Sequence, residues 1–183
     1  MPKRKLAWIP NAIYHVTIRG NRKGDIFTCK EDYLMYLEFL EEAIRYYNFQ
    51  YEILAYTLMT NHIHLLIKAK ETHICYLMGR VNKRYATEFN KKYNYVGHLF
   101  QTRYNGVLIE NDRQLLEESR YIHLNPVRAQ MVKIPEDYPY SSYSMYLGTK
   151  EEKLINADIL LEYFKDKNKE LYRSYVEAPI SGR

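Results

Sequence analysis

The segment from residue 60 to residue 68 constrains the fold of this chain most, because its side chains alternate with a period of two. The alternation predicts a β-strand whose apolar side needs a core: Ile63, Leu65 and Ile67. The opposite side then carries His62 and His64, whose backbone positions lie roughly 6–7 Å apart. Two imidazoles at this spacing can converge on one divalent ion, but further ligands have to come from elsewhere in the chain.

Length and composition are those of a one-domain globular protein, with 183 residues of which 46% are hydrophobic. No apolar run is long enough to cross a membrane, so a spanning helix is excluded. The basic N-terminus is not followed by the apolar core of a signal peptide, and Cys29 and Cys75 are isolated. We therefore expect a cytoplasmic protein without disulfides, whose N-terminus is a basic arm.

The charge balance permits a polyanionic partner. Lys and Arg exceed Asp and Glu by 27 − 22 = 5, and the sequence pI is about 9.0. The chain also has 20 tyrosines, which together with basic residues suit single-stranded nucleic acid, because rings stack on bases while cations follow phosphates. The alternative is that many of these rings belong to the core, and their number alone identifies no tyrosine as catalytic.

The remaining periodicity predicts an α+β fold. Strands are indicated over residues 12–19, 51–59, 62–68 and 104–109, and amphipathic helices over residues 32–47 and 72–93. This order is that of a ferredoxin-like split βαβ unit, an antiparallel sheet with two helices on one face. The other face of the sheet is left open, and it carries the two histidines.

A third helix is predicted to begin at the cap Asn111–Asp112 and to reach about Leu124. Pro126 is expected to end or kink this helix at Asn125. Tyr121 and Asn125 are four residues apart and therefore share one helix face. Beyond it we expect an irregular segment over residues 134–146 and one or two terminal helices within residues 156–175.

If the third helix lies across the open sheet face, its polar side completes a site with the histidines. His62, His64 and Asn125 could then hold a divalent ion and leave coordination positions for phosphate oxygens and water. Tyr121, one turn before Asn125, would direct its hydroxyl to the same place. A phenol is a poor nucleophile at neutral pH, but a cation that polarises the phosphate makes its attack feasible and gives a phosphotyrosine.

Each half of this site also has a simpler explanation. A His-x-His pair on a strand is commonly surface or hydrogen-bonded structure, and a Tyr and an Asn on a polar helix face are usually solvated. The functional interpretation gains weight because the two halves complete each other's chemistry. The other histidines are assigned to structure by default: His15, His73, His98 and His123.

Five segments of the chain resemble the single-tyrosine HUH transposases, in particular the REP-associated tyrosine transposases. They are YHVTIRGNR from residue 14, MTNHIHLL from residue 59, GHLFQTRY from residue 97, YIHLNPVRA from residue 121 and YSSY from residue 140. The combination spans roughly residues 6–147 and is far more specific than any one segment.

This resemblance implies a metal-dependent endonuclease and strand transferase that acts on single-stranded DNA at hairpins. Such enzymes leave a 5′-phosphotyrosine and a free 3′-OH without using ATP. By motif match, His62 and His64 are metal ligands, Tyr121 is the nucleophile, and Asn125 is the third ligand where relatives often carry Gln. The metal implied is Mg²⁺ or Mn²⁺.

The resemblance also implies a domain organisation and a set of partners. Residues 1–150 would form the catalytic domain. The tail after about residue 150 matches no part of the family pattern, and we expect residues 151–183 to be a helical extension of the same domain. The partner is single-stranded or hairpin DNA and not a membrane, and a monomer is favoured over a homodimer. Four basic residues near the motifs are DNA-binding candidates, although half of the basic residues could serve solubility alone: Arg19, Arg22, Lys23 and Arg103.

Two other functions stay open. One is a non-catalytic protein that keeps the fold and binds hairpin DNA or RNA, which the intact set of histidines, tyrosine and asparagine disfavours. Metal dependence would separate this function from the enzyme. The other is a replication initiator or relaxase with the same chemistry, which the short chain without a helicase-like domain disfavours.

Overall fold

The computed structural model describes residues 8–151 and 153–179, and it has the predicted α+β architecture around one antiparallel sheet with the strand order β2-β3-β1-β4. This order and the helix positions confirm the ferredoxin-like prediction. The basic arm predicted at Lys3, Arg4 and Lys5 lies outside the described residues. The strands and helices are β1 (Ala12–Arg19), α1 (Lys30–Tyr46), β2 (Tyr51–Met59), β3 (His62–Ala69), α2 (Ile74–Tyr93), β4 (Asn105–Leu108), α3 (Asp112–Arg128), α4 (Tyr143–Leu147), α5 (Asp158–Leu161) and α6 (Lys169–Glu177).

The pairing of β3 with its two neighbours decides which side chains surround the histidines. Arg19 of β1 is opposite His62, while Thr17 of β1 and Thr57 of β2 are both opposite His64. Residues directly opposite each other share one face of an antiparallel sheet. The histidine face therefore also carries a cation and two hydroxyls, whereas Ile63, Leu65 and Ile67 are fully buried on the other face.

Helices α1 and α2 pack against each other, and the Tyr36 hydroxyl of α1 donates a 3.0 Å hydrogen bond to Asn82 Oδ1 of α2. Helix α1 begins two residues earlier than predicted, because the buried Asp32 carboxylate accepts hydrogen bonds from the backbone N–H groups of Thr28 and Cys29. Helix α2 begins where the His73 ring caps it, since Nδ1 accepts from the backbone N–H of Cys75.

Helix α3 runs past Pro126 to Arg128, so it does not end at Asn125, which was one of the two predicted outcomes. A proline lacks the N–H that would bind the carbonyl four residues earlier, which is that of Ile122. The Thr57 hydroxyl of β2 donates a 2.8 Å hydrogen bond to this carbonyl. The sheet thereby satisfies the one backbone group that the proline frees, and it fixes α3 across the histidine face.

The C-terminal helices are part of the packed structure. Helix α6 contacts both α3 and α4, and its Tyr172 is fully buried. The segment predicted to be irregular contains a 3-10 turn at Pro135–Asp137 and the short helix α4. The boundary predicted at residue 150 lies between α4 and α5. Within the described ranges, every helix is too short or too polar to cross a membrane.

Candidate active site

Tyr121 of α3 lies beside the histidine pair of β3. Its ring centroid is 5.5 Å from that of His64, and the rings of His62 and His64 are 5.0 Å apart. Tyr121 is half-buried, and the Arg128 guanidinium carbon lies 5.0 Å from the centre of its ring. The imidazoles and the phenol, which are far apart in sequence, therefore meet within one chain. Their roles as metal ligands and nucleophile stay predictions.

His15 of β1 also belongs to this site, so the prediction that it is only structural is wrong. Its Nε2 lies 2.9 Å from Nδ1 of His64, and its Nδ1 lies 2.8 Å from Oε2 of Glu118. The His15 ring also stands 6.0 Å from the Tyr121 ring. The only hints in the sequence are the strand position of His15 and the polar helix side that Glu118 shares with Tyr121. Strand register, which those hints do not contain, brings the two together.

Asn61 connects His62 to the basic turn that follows β1. Asn61 Oδ1 lies 2.6 Å from Nδ1 of His62, and Asn61 Nδ2 donates a 3.2 Å hydrogen bond to the carbonyl of Lys23. The turn is compact, since Gly20 lies so close to the carbonyl of Gly24 that a Cβ would stand 2.0 Å from that oxygen. Asn61 therefore ties one candidate ligand to two candidate DNA-binding residues in this turn.

Asn125, the predicted third ligand, is buried at 8% exposure on α3, one turn beyond Tyr121. Its Nδ2 donates a 3.1 Å hydrogen bond to the backbone carbonyl of Tyr121. In the described part of the chain, its Oδ1 has no hydrogen-bond partner. The amide is thus oriented with its nitrogen on the helix backbone and with its oxygen available to a ligand.

The surroundings of the two β3 histidines favour their neutral form. Burial, together with the neighbouring His15 and His62, lowers the pKa of His64 to about 3. Burial, with the Arg19 cation opposite it, also lowers the pKa of His62. A neutral imidazole keeps one nitrogen lone pair, and this is the form in which histidine binds metals.

His62 and His64 would provide only two metal ligands, so the site fits a divalent ion only if the amide oxygen of Asn125 is a third ligand. Residues 8–151 and 153–179 contain no group of three or more His, Cys, Asp or Glu side chains arranged to hold a metal. His62 and His64 each have an Nε2 with no hydrogen bond to described residues, and Asn125 adds an oxygen. Two nitrogens and an oxygen suit Mn²⁺ better than Mg²⁺, which prefers oxygen ligands.

Three of the four DNA-binding candidates lie next to this site, and the fourth lies in a separate groove. Arg19, Arg22 and Lys23 are exposed, at the end of β1 and in the turn that Asn61 holds. Arg22 and Lys23 both adopt positive φ angles, of 52° and 61°, which direct the tight turn. Arg103 is also exposed and lines a groove of about 1040 Å³ between α2 and the segment before β4.

Comparison with known proteins identifies relatives of this chain. The sequence profile of the family described as "Transposase IS200 like" matches residues 9–125. A Haemophilus influenzae protein that carries the name "Putative REP-associated tyrosine transposase" is 32% identical over 108 residues. That alignment covers 52% of this chain and 61% of the relative, so the chain spans less than two thirds of that protein's length.

A solved structure has the same fold. It is a REP-associated tyrosine transposase bound to a REP hairpin, and it superposes with a TM-score of 0.68 over 86% of this chain and 92% of its own. The sequence identity of the two chains is 19%. The likeness of the two folds therefore extends over most of both chains.

Proposed function

Because this chain belongs to the IS200-like transposase family and resembles the REP-associated branch, we propose that it cuts and rejoins single-stranded DNA beside hairpins through a covalent bond to Tyr121. The observation that carries this proposal is the 5.5 Å separation between the rings of Tyr121 and His64. A nucleophile and a candidate ligand pair are thus close together before any DNA is bound.

His62, His64 and Asn125 are the residues that would hold a divalent metal. When bound, the metal supplies a Lewis acid that polarises the scissile phosphate and offsets charge that develops during the reaction. The lowered pKa of His64 supports this role, because its ring is then neutral at neutral pH.

Tyr121 is the nucleophile in the proposed reaction. Its hydroxyl oxygen forms a bond to phosphorus, the bond from phosphorus to the 3′-oxygen breaks, and the phenolic proton is released. The departing 3′-oxygen takes up a proton and becomes a free 3′-OH. The 5′-phosphotyrosine conserves the phosphodiester, so another 3′-OH can attack it, release Tyr121 and rejoin the strand without ATP.

DNA recognition is assigned to the basic residues beside the site. The structural neighbour is bound to a REP hairpin, which supports a hairpin as the ligand class here as well. Arg19, Arg22 and Lys23 present three exposed cations within a few residues, at the end of the strand that pairs with His62. Such cations bind phosphates and would hold the base of the hairpin stem near Tyr121. Arg103 would contact the strand that leaves the site.

The test is the formation of a covalent adduct. The protein is incubated with Mn²⁺ and with hairpin oligonucleotides that carry single-stranded flanks, drawn from DNA around its own gene. A denaturing gel then shows whether DNA stays attached to the protein. Tyr121→Phe is expected to abolish the adduct while hairpin binding, measured by fluorescence anisotropy, is unchanged.

Tyr95→Phe is the matched control, because Tyr95 is an exposed tyrosine of the segment after α2. This variant should form the adduct as the parent protein does. An adduct formed by Tyr121→Phe would refute the nucleophile assignment. Hairpin binding without an adduct in the parent protein, with or without Mn²⁺, would instead identify a non-catalytic hairpin-binding protein.

The same assay addresses the oligomeric state. The site residues come from one chain, which supports a monomer that uses its own Tyr121. The initial rate of adduct formation should then rise in proportion to protein concentration. The variants Tyr121→Phe and His62→Ala should each be inactive alone. If Tyr121 were supplied by a second copy, mixing the two variants would restore adduct formation.

A further inference from the structure

We infer that Glu118, His15 and Asn61 are positioning residues that set the protonated nitrogen of both candidate ligands. Glu118 and His15 hold His64 with its proton on Nδ1, and Asn61 holds His62 in the same form. Each ring then presents an unprotonated Nε2. The consequence for metal binding rests on the proposed function, whereas the protonation pattern itself does not.

The first hydrogen-bond chain begins at a group that can only accept. The Glu118 carboxylate oxygen lies 2.8 Å from Nδ1 of His15, so that nitrogen carries the proton. In neutral His15 the other nitrogen, Nε2, is then an acceptor. It lies 2.9 Å from Nδ1 of His64, which must therefore be the donor. His64 is left with its lone pair on Nε2.

The second chain begins at a backbone carbonyl, which also only accepts. The carbonyl of Lys23 receives a hydrogen bond from Asn61 Nδ2, and this contact fixes the orientation of the amide. Asn61 Oδ1 then faces Nδ1 of His62 at 2.6 Å. An amide oxygen cannot donate, so Nδ1 of His62 carries the proton and its Nε2 keeps the lone pair.

Both chains lead to the same result from opposite sides of the site. One chain comes from α3 through β1, and the other comes from the basic turn. Residues that orient the rings of metal-binding histidines typically contribute about 10- to 100-fold to metal affinity. Without them, each ring would divide its population between two protonation forms, one of which places a proton on the nitrogen that must bind.

The protonation pattern can be read directly in the metal-free protein. Long-range ¹H–¹⁵N correlation spectra of the imidazoles distinguish a proton on Nδ1 from one on Nε2, at a pH above the ordinary titration range of histidine. The expected result is that His62 and His64 are both protonated on Nδ1. A proton on Nε2 of His64 in the parent protein would overturn the inference.

Single substitutions separate the two chains. Glu118→Ala is expected to give His64 a mixed protonation pattern and to leave His62 unchanged, and Asn61→Ala is expected to do the reverse. Glu118→Gln retains an oxygen that accepts from His15, so it should restore the parent pattern. Glu117→Ala is the matched control, because Glu117 is a neighbouring acid of the same helix that pairs with exposed Arg113.

Mn²⁺ affinity, measured by electron paramagnetic resonance, gives the second readout. Glu118→Ala and Asn61→Ala should each weaken Mn²⁺ binding by about 10-fold or more, whereas Glu118→Gln and Glu117→Ala should stay near the parent value. Unchanged protonation and affinity in Glu118→Ala would refute the inference for His64. A parent protein with the expected protonation pattern but without Mn²⁺ binding would refute the metal in the proposed function and leave the hydrogen-bond chains intact.

Discussion

Two buried histidine clusters of this protein differ in what their ring nitrogens contact. His123 of α3 is fully buried, and both of its nitrogens contact hydroxyls: Nε2 is 2.8 Å from Ser142 Oγ, and Nδ1 is 2.9 Å from the Tyr172 hydroxyl. His64 is nearly as buried, at 5% exposure, but only its Nδ1 has a hydrogen-bond partner among the described residues. His62 shares this one-sided arrangement.

Burial and pKa do not distinguish the two clusters. Burial lowers the pKa of His123 to about 3, the same value as for His64. The difference is that one ring nitrogen of His64 has no hydrogen-bond partner among the described residues, whereas both ring nitrogens of His123 have one. A perturbed pKa therefore identifies a histidine in an unusual environment, and the hydrogen-bond inventory indicates whether that environment is structural or functional.

Replacing one histidine from each cluster gives the largest expected contrast. His62→Ala should abolish the Mn²⁺-dependent adduct and change the free energy of unfolding by less than about 1 kcal/mol, because His62 is only half-buried. His123→Ala should lower that free energy by about 2–4 kcal/mol, since it leaves a cavity and removes one hydrogen-bond partner from each of two buried hydroxyls. Adduct assays at low temperature and urea unfolding measure the two effects. An adduct formed by His62→Ala would remove the distinction between the clusters.

Acid should destabilise the protein through both clusters. Histidine in an unfolded chain has a pKa near 6.5, whereas the folded-state pKa of His64 and of His123 is about 3. The unfolded state thus binds more protons, so stability is fully present above pH 6.5 and is lost as the pH falls towards 3. At pH 5 each of these two histidines should have lowered the free energy of unfolding by on the order of 2 kcal/mol.

Urea unfolding of the parent protein at pH 8 and pH 5 measures this loss. His123→Ala, compared with itself at the two pH values, should lack the part of the loss that belongs to His123 and retain the part that belongs to the β3 histidines. A loss that is identical in the parent and in His123→Ala would show that His123 is not held neutral in the folded protein.

Tyr172→Phe tests the hydroxyl that closes the buried cluster. The variant keeps the ring in place but leaves Nδ1 of His123 without its partner, so stability should fall by about 1–3 kcal/mol with the adduct retained. Thermal denaturation measures the change in stability, and Tyr95→Phe, at an exposed position, is the control. Equal melting temperatures of the two variants would mean that the contact with His123 contributes nothing.

The smallest expected effect concerns the basic turn. Arg22→Ala should weaken hairpin binding and reduce the slope of log affinity against log salt by about 1, because one phosphate contact is lost. Anisotropy titrations over a range of salt concentrations measure the slope. The same substitution at Lys165, an exposed lysine of the C-terminal part, should leave the slope unchanged.

The sequence predicted the elements with strong local patterns and missed those that depend on distant residues. Strands β1 and β2 match their predicted bounds because each is a short run rich in β-branched and aromatic residues. The continuation of α3 past Pro126 was not predictable, since the hydroxyl that compensates for the proline belongs to Thr57. His15 was missed for the same reason, because its contacts with His64 and Glu118 depend on sheet register and on the packing of α3.

The contact between Tyr172 and His123 bears on any attempt to shorten this protein. Helix α3 carries the candidate nucleophile on one side and His123 on the other, and α6 covers the latter. Cutting the chain near residue 150 would admit water to that side and would loosen the scaffold on which Tyr121 is mounted. A shortened protein would need other side chains to cover the side of α3 that α6 now covers, for example larger apolar residues in place of the buried hydroxyls.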